Sequence, residues 1–322
     1  MYNQNDFLNS KDFILVMNLL NLALHFSGHE TFPIRQLWLH KAYNYALRHS
    51  KEEKGASFGG DHAMLELGVG KNMVSSIRFW AEATNFLDNK NGGLEPSPLG
   101  RLIFGELDPT SENPNTPWLV HWQLASQSHR STVFWFLFNQ LNSQYINRED
   151  IQEGLVSLAG KSGKKVSHQT IKRDVEVCLR SYVPFMAGRN KIATEEFIEP
   201  LLSSLGIINV VNKDIIEIPR TTRPTLSNGL FAYALMDFWQ TRLDNSSSID
   251  YFQIAHAIGS PGKVFRLDEI SLTRRLEDLE ALTQGELIWT EQSGIKTVIR
   301  RKSALNQPEK FKAQMLRLAY QL

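Results

Sequence analysis

The sequence predicts a mainly α (α+β) chain made of several winged-helix or helix-turn-helix modules whose wings are short β-hairpins. Three observations carry that expectation. Apolar residues recur at helical spacing through most of the chain. Strand-like pieces are short and paired across turn residues: Ile207 to Val211 with Ile215 to Ile218 around Asn212-Lys213-Asp214, and Leu287 to Thr290 with Thr297 to Arg300 around Ser293-Gly294. Helices followed by a small hairpin then recur along the chain, and 322 residues accommodate two or three domains. The expected divisions are 1–145, 146–245 and 246–322.

Leu37, Ala42, Tyr45 and Ala46 mark a first helix, and Arg35, Trp38 and Lys41 share its amphipathic segment. The first module runs from Asp61 to Gly105. Residues 62–67 form a short helix, Gly68-Val69-Gly70 a tight turn, and Lys71 opens a second helix to about Ala83. Met73, Ile77 and Trp80 make its buried stripe, while Lys71, Asn72, Ser75, Arg78 and Glu82 face outward. A basic residue, an amide and a hydroxyl near a helix start are what base edges and phosphates require. Phe86-Leu87, the turn Asp88 to Gly93 and Leu94 to Pro96 supply a wing, and Pro98-Leu99-Gly100-Arg101 opens a further helix. Gly70-Lys71 is not a phosphate loop, because Leu65 and Asn72 stand where a glycine and a Ser/Thr are needed.

Leu107 to Pro117, with three prolines, reads as a loop or linker. Trp118 to Leu141 forms one or two aromatic-rich helices. The second module, Asp150 to Val183, has Ile151, Leu155 and Leu158 on one helix, a flexible basic turn at Ala159 to Lys165, and Ser167 as N-cap of the next. There Ile171, Val175, Cys178, Leu179 and Tyr182 form the apolar side, so Cys178 is a core residue. His168, Lys172, Arg173, Glu176 and Arg180 face outward, and Lys164, Lys165, Lys172, Arg173 and Arg180 are candidates for phosphate contact. Leu230 to Leu243 is another helix, and Asn245 to Ser248 separates it from the third module, Tyr251 to Arg301. That module has a helix striped by Leu272, Leu276, Leu279 and Leu282 and a hairpin ending in Arg300-Arg301-Lys302. Its acidic residues Glu277, Asp278 and Glu280 point to a protein-facing or structural role with a basic wing.

Charge is polarised along the chain. The formal net charge is +1, yet from Lys161 to Lys191 eight basic residues oppose two acids, and from Lys296 to Leu322 seven oppose one. Between Ile192 and Trp289 fourteen acids oppose eight bases. Basic density of this kind is the footprint of a polyanion-binding surface, although solvated helix faces produce it too. One cysteine excludes a disulfide framework and a multi-cysteine zinc site, and no apolar run is long enough to span a bilayer. With acids near the N-terminus, where a signal peptide is basic, the expected location is the cytoplasm.

Ser27-Gly28-His29-Glu30-Thr31, followed by a proline and Arg35, is the segment most suited to chemistry. His29 and Glu30 offer a base or a metal ligand and Arg35 a phosphate clamp, and the same His29 and Glu30 also suit a helix cap. There is no His-Glu-x-x-His and no Gly-x-Ser-x-Gly; Glu52-x-Lys54 lacks a convincing upstream aspartate, and Asp61-His62 and Asp108 are isolated ligand sources. No nucleotide cofactor is indicated.

SGHETFPIRQLWLHKAY (27–43) together with LGVGKNMVSSIRFWAEATNFL (67–87) resembles a bacterial domain-of-unknown-function family, the SspB-like family of DNA phosphorothioation and anti-phage defence clusters. Pro98-Leu99-Gly100, Asp108-Pro109-Thr110 and Trp118-Leu119-Val120-His121-Trp122 continue the resemblance. It implies a DNA-nicking component that prepares DNA for sulfur incorporation. It also implies DNA as partner, alongside an ATPase, an ATP-pyrophosphatase-like protein and a cysteine desulfurase. A nickase reading brings Mg2+ or Mn2+ as the expected metal; a non-enzymatic adaptor and a winged-helix transcription regulator remain as alternatives. The family supplies no catalytic set, so His29, Glu30 and Arg35 rest on the residues alone.

Overall fold

The structure, a computed structural model, describes residues 22–183, 199–243 and 246–321. Arg189, Lys191 and Asn245, used above, lie outside the described residues.

Helix α1 is Trp38–Arg48, α2 is Gly60–Leu67 and α3 is Lys71–Ala83, followed by β1, Leu87–Lys90, β2, Gly93–Pro96, and α4, Pro98–Leu102. After a π-turn come α5, Asn115–Ala125, α6, Thr132–Asn139, β3, Tyr145–Asn147, α7, Arg148–Lys161, and α8, His168–Tyr182. A 3-10 turn at Leu201–Leu205 leads to β4, Asn209–Val210, β5, Ile215–Glu217, and α9, Asn228–Leu243. The last part is β6, Ser248–Asp250, α10, Tyr251–His256, α11, Pro261–Val264, α12, Glu269–Glu277, α13, Leu279–Leu282, β7, Leu287–Gln292, β8, Ile295–Arg300, α14, Lys302–Asn306, and α15, Pro308–Ala319.

One arrangement occurs three times. A short strand leads into helices, a hairpin follows, and the second hairpin strand pairs back onto the opening strand. The sheet orders β3-β5-β4 and β6-β8-β7 show it fully. In the first unit the opening strand has shrunk to one residue, Ala56, which bridges Leu94 on β2 through two hydrogen bonds of 2.7 and 2.9 Å. A Cβ on Gly93 would come within 2.0 Å of the Lys54 carbonyl oxygen, so this approach requires glycine. The opening strands β3 and β6 were not foreseen: three residues are too few for an alternation pattern to emerge.

Local chemistry accounts for the helix starts. Ser97 accepts from the Gly100 amide with Pro98 in the first turn, Asn147 caps α7, Ser167 caps α8, and Asp268 caps α12. Asp250 and Gln253 form a reciprocal capping box at α10.

Four expectations need correction. Leu37 is exposed in a left-handed conformation ahead of α1, and Arg35 also precedes the helix. In α3, Val74 is buried while Met73 is half-buried, a rotation of the stripe by one residue. Of the two readings of Leu107 to Pro117 the loop holds and the linker does not: the buried Asp108 carboxylate accepts from the Glu112 and Asn113 amides and the Thr116 hydroxyl, and α5 begins at Asn115. The 272–282 helix breaks at Asp278 into α12 and α13.

Buried residues form one continuous cluster from Leu24 to Tyr320. At its centre α5, α6 and α9 are apolar on nearly all sides, and Trp118, Trp122, Trp135 and Trp239 are fully buried. His121 of α5 meets the Tyr182 hydroxyl at 2.7 Å and the Val264 carbonyl at 2.9 Å, and burial pushes its pKa down to about 3. Buried Arg223, Arg266 and Arg275 donate to backbone carbonyls between residues 141 and 265, tying the second and third units together.

Candidate nucleic-acid interface

Helix α8 separates its two faces cleanly. Ile171, Val175, Cys178, Leu179 and Tyr182 are buried, and burial pushes the Cys178 thiol up, away from reactivity. Lys172, Arg173 and Arg180 are exposed, as are Lys161 at the end of α7 and Lys165 in the intervening turn. None of these five forms an ion pair among the described residues. Lys164, also on this turn, donates its ammonium to the Leu24 carbonyl. The local acids do not neutralise this surface: Glu176 pairs with Arg148 at 3.0 Å, and Asp174 points inward.

Asp174 is the residue that sequence reasoning missed. It is 5% exposed, and its carboxylate accepts from the Ser27 amide at 2.8 Å and from His29 Nε2 at 3.0 Å. The Thr31 amide donates to His29 Nδ1 at 3.2 Å, which places the ring proton on Nε2. His29 is stacked on Trp80 and edge-on to Phe79, both from α3. A Cβ on Gly28 would meet the Phe79 ring at 2.6 Å. The 27–31 loop is therefore wedged between α3 and α8, the outward helices of the first two units. Ser27, Gly28, Glu30 and Thr31 all have positive φ. A backbone this far into the left-handed region persists only when its surroundings over-determine it, and such segments cluster at functional sites. The signal for Asp174 was available: it lies at i+3 from Ile171, on the apolar stripe rather than outside it.

The loop divides the three residues expected to act together. His29 is buried with both ring nitrogens engaged, and Glu30 is exposed. Arg35 is buried, with its guanidinium over Phe32 at 5.6 Å and Trp38 at 5.1 Å, and its backbone bridges Pro200. On α3, Lys71 and Asn72 are exposed, Ser75 and Arg78 are half-buried, and Arg78 pairs with Glu82 at 3.1 Å.

The C-terminal basic stretch is different. Arg300 is 4% exposed, donates to the Ser246 carbonyl and lies 4.8 Å over Trp239, so the expected basic wing loses its first member to the core. Lys312 pairs with Asp237 and Glu309, Arg317 with Glu106, and Lys296 with Glu291.

Among the described residues one group of three brings metal-ligating atoms together: His49, His62 and Glu66. His49 ends α1, and the other two lie four residues apart on α2. Glu66 Oε1 is 3.0 Å from His49 Nε2 and 3.4 Å from His62 Nε2. Hydrogen bonding to Glu52 raises the His49 pKa. Glu52 and His62 were each noted singly in the sequence; their convergence needed the packing of α1 on α2.

The fold and its charged face define a class: a protein of three strand–helix–hairpin units with a basic helix whose exposed cations form no ion pair among the described residues. More specifically, the chain belongs to the family described as protein of unknown function (DUF4007), which matches residues 26–320. Two solved structures are similar to it. A magnesium ion-bound SspB crystal structure is 26% identical, with 92% of this chain and 91% of that chain covered and a TM-score of 0.76. A second SspB crystal structure is 25% identical over the same shares, with a TM-score of 0.75. No curated protein matches the chain.

Proposed function

We propose that this chain is the DNA-binding component of a phosphorothioate-modification system and that it nicks one strand ahead of sulfur incorporation. The observation that carries the binding claim is the exposed basic face of α7, α8 and their connecting turn, formed by Lys161, Lys165, Lys172, Arg173 and Arg180, which have no ion pair among the described residues. It sits on a unit whose strand–helix–helix–hairpin order is that of a winged helix, in which the last helix meets the groove. The likeness to SspB supports the assignment to phosphorothioation. In this reading α3 adds Lys71, Asn72, Ser75 and Arg78 as a second contact, and the 27–31 loop fixes α3 relative to α8.

Nicking adds water across one P–O bond, leaving a phosphate monoester and a hydroxyl. Exposed Glu30 is then the base, His29 with Asp174 holds the loop in its left-handed conformation, and Arg35 stands behind it on Phe32 and Trp38. The SspB neighbour binds magnesium. Magnesium prefers oxygen ligands, and the one convergent group among the described residues is two-thirds imidazole, so it does not fit that ion.

Supercoiled plasmid incubated with the protein and Mg2+ or Mn2+ tests the claim. Open-circular product that disappears in Glu30→Ala and His29→Ala is the expected result. A gel shift without nicking overturns the enzymatic part and leaves a DNA-binding adaptor, the reading favoured by the engagement of both His29 nitrogens. Nicking that survives both substitutions removes the loop from catalysis. Partner proteins of sulfur transfer are proposed to dock away from the α8 face, which DNA occupies.

A further inference from the structure

We infer that His49, His62 and Glu66 form a binding site for a first-row transition-metal dication of the Zn2+ class. In a tetrahedral site with metal–ligand bonds of 2.0–2.1 Å, adjacent ligand atoms stand about 3.3 Å apart. The distances from Glu66 Oε1 to His49 Nε2 and His62 Nε2 are 3.0 and 3.4 Å, and all three ligand atoms lie within 4.8 Å of one another. Two of the three edges thus match such a polyhedron, and the third, between the two imidazoles, lies within 4.8 Å.

The partners behind the ligands point the same way. A metal-bound imidazole usually donates its other nitrogen to a carboxylate, which fixes the ring. His49 does this: Nδ1 donates to Glu52 Oε1, leaving Nε2 directed at the cluster. The second oxygen of Glu66 is held separately, by Nε and Nη2 of Arg48 at 3.2 and 2.9 Å, so Oε1 is free to ligate. His62 reaches in from the exposed face of α2, and its ring meets the His49 ring edge-on at 5.4 Å. Two imidazoles and one carboxylate suit Zn2+ and its neighbours, with a fourth position open to water or another ligand. The ion would staple the end of α1 to α2, the helix that leads through the 68–70 turn into α3.

The inference goes beyond DNA binding and nicking, and its test contains no DNA. Zinc is titrated into the metal-free full chain by calorimetry, and Co2+ is added in parallel as a spectroscopic probe. One Zn2+ per chain and the visible absorption of tetrahedral Co2+ are expected. Exposed His62→Ala should weaken Zn2+ binding by more than about 100-fold, and Glu52→Gln, which removes only the partner behind His49, by about 10–100-fold. His256→Ala, an exposed histidine elsewhere, should leave it unchanged. Several outcomes overturn the site: no saturable binding, which reduces the cluster to a histidinium between two carboxylates; equal affinity in His62→Ala; or displacement of Zn2+ by an equal concentration of Mg2+.

Discussion

Two stretches of this chain have the same charge excess and leave different shares of it in solvent. Residues 161–191 and 296–322 each carry six more basic than acidic groups. In the first, the cations of α7, the turn and α8 stand in solvent while their local acids are consumed elsewhere, Asp174 by His29 and Glu176 by Arg148. In the second, Arg300 lies over Trp239 inside the core and Lys296, Lys312 and Arg317 have carboxylate partners from other elements, which leaves Arg301 and Lys310 as its exposed cations without an ion pair among the described residues. A local charge count measures density along the chain. What a polyanion meets is the charge left after folding has matched cations to distant carboxylates.

The contrast predicts the largest effect for α8. Replacing Lys172, Arg173 and Arg180 by alanine together should lower the slope of log affinity against log salt by about 2.7 for duplex DNA, with a loss of two to three orders of magnitude at about 0.1 M salt. The matching set, Lys296, Lys312 and Arg317, should leave the slope where it was. Filter binding over a salt series reads both, and equal loss in the two sets would break the comparison.

Buried basic groups should act on stability instead. His121 has its pKa depressed to about 3, so the folded state resists a proton that the unfolded chain accepts at about 6.5. Stability should therefore fall by about 1.4 kcal/mol for each pH unit below about 6.5, down to about pH 3. His121→Asn should remove that component of the slope in denaturant titrations at several pH values. Arg300→Ala should cost about 1–3 kcal/mol, through the lost charged hydrogen bond to the Ser246 carbonyl, which keeps only the Trp239 indole N–H, and the lost stacking on Trp239, with no change in the DNA affinity of the folded protein. Smallest is Arg317→Ala: its pair with Glu106 is half exposed, and about 0–1 kcal/mol is expected from melting curves.

The helices and hairpins were legible because their causes are local. Ser167 followed by the 171-175-178-182 stripe specifies where α8 starts and which side is buried, and Ser293-Gly294 specifies the turn of the last hairpin. The opening strands β3 and β6 were not legible, since three residues show no period and exist only by pairing with β5 and β8. The candidate site was half legible. Its exposed cations follow from helical phase, whereas the loop that joins α3 to α8 depends on Asp174, and the His49 cluster on α1 meeting α2.

By itself, then, the sequence determined the helix faces, the caps, the turns and where basic residues concentrate. Each of those depends on interactions reaching no more than a few residues along the chain. Tertiary structure alone decided which charges stay in solvent. The partners involved, His29 for the buried Asp174 carboxylate across 145 residues and Glu106 for the half-exposed Arg317 across 211, are chosen by packing, and for Asp174 also by the cost of leaving a buried charge unmatched.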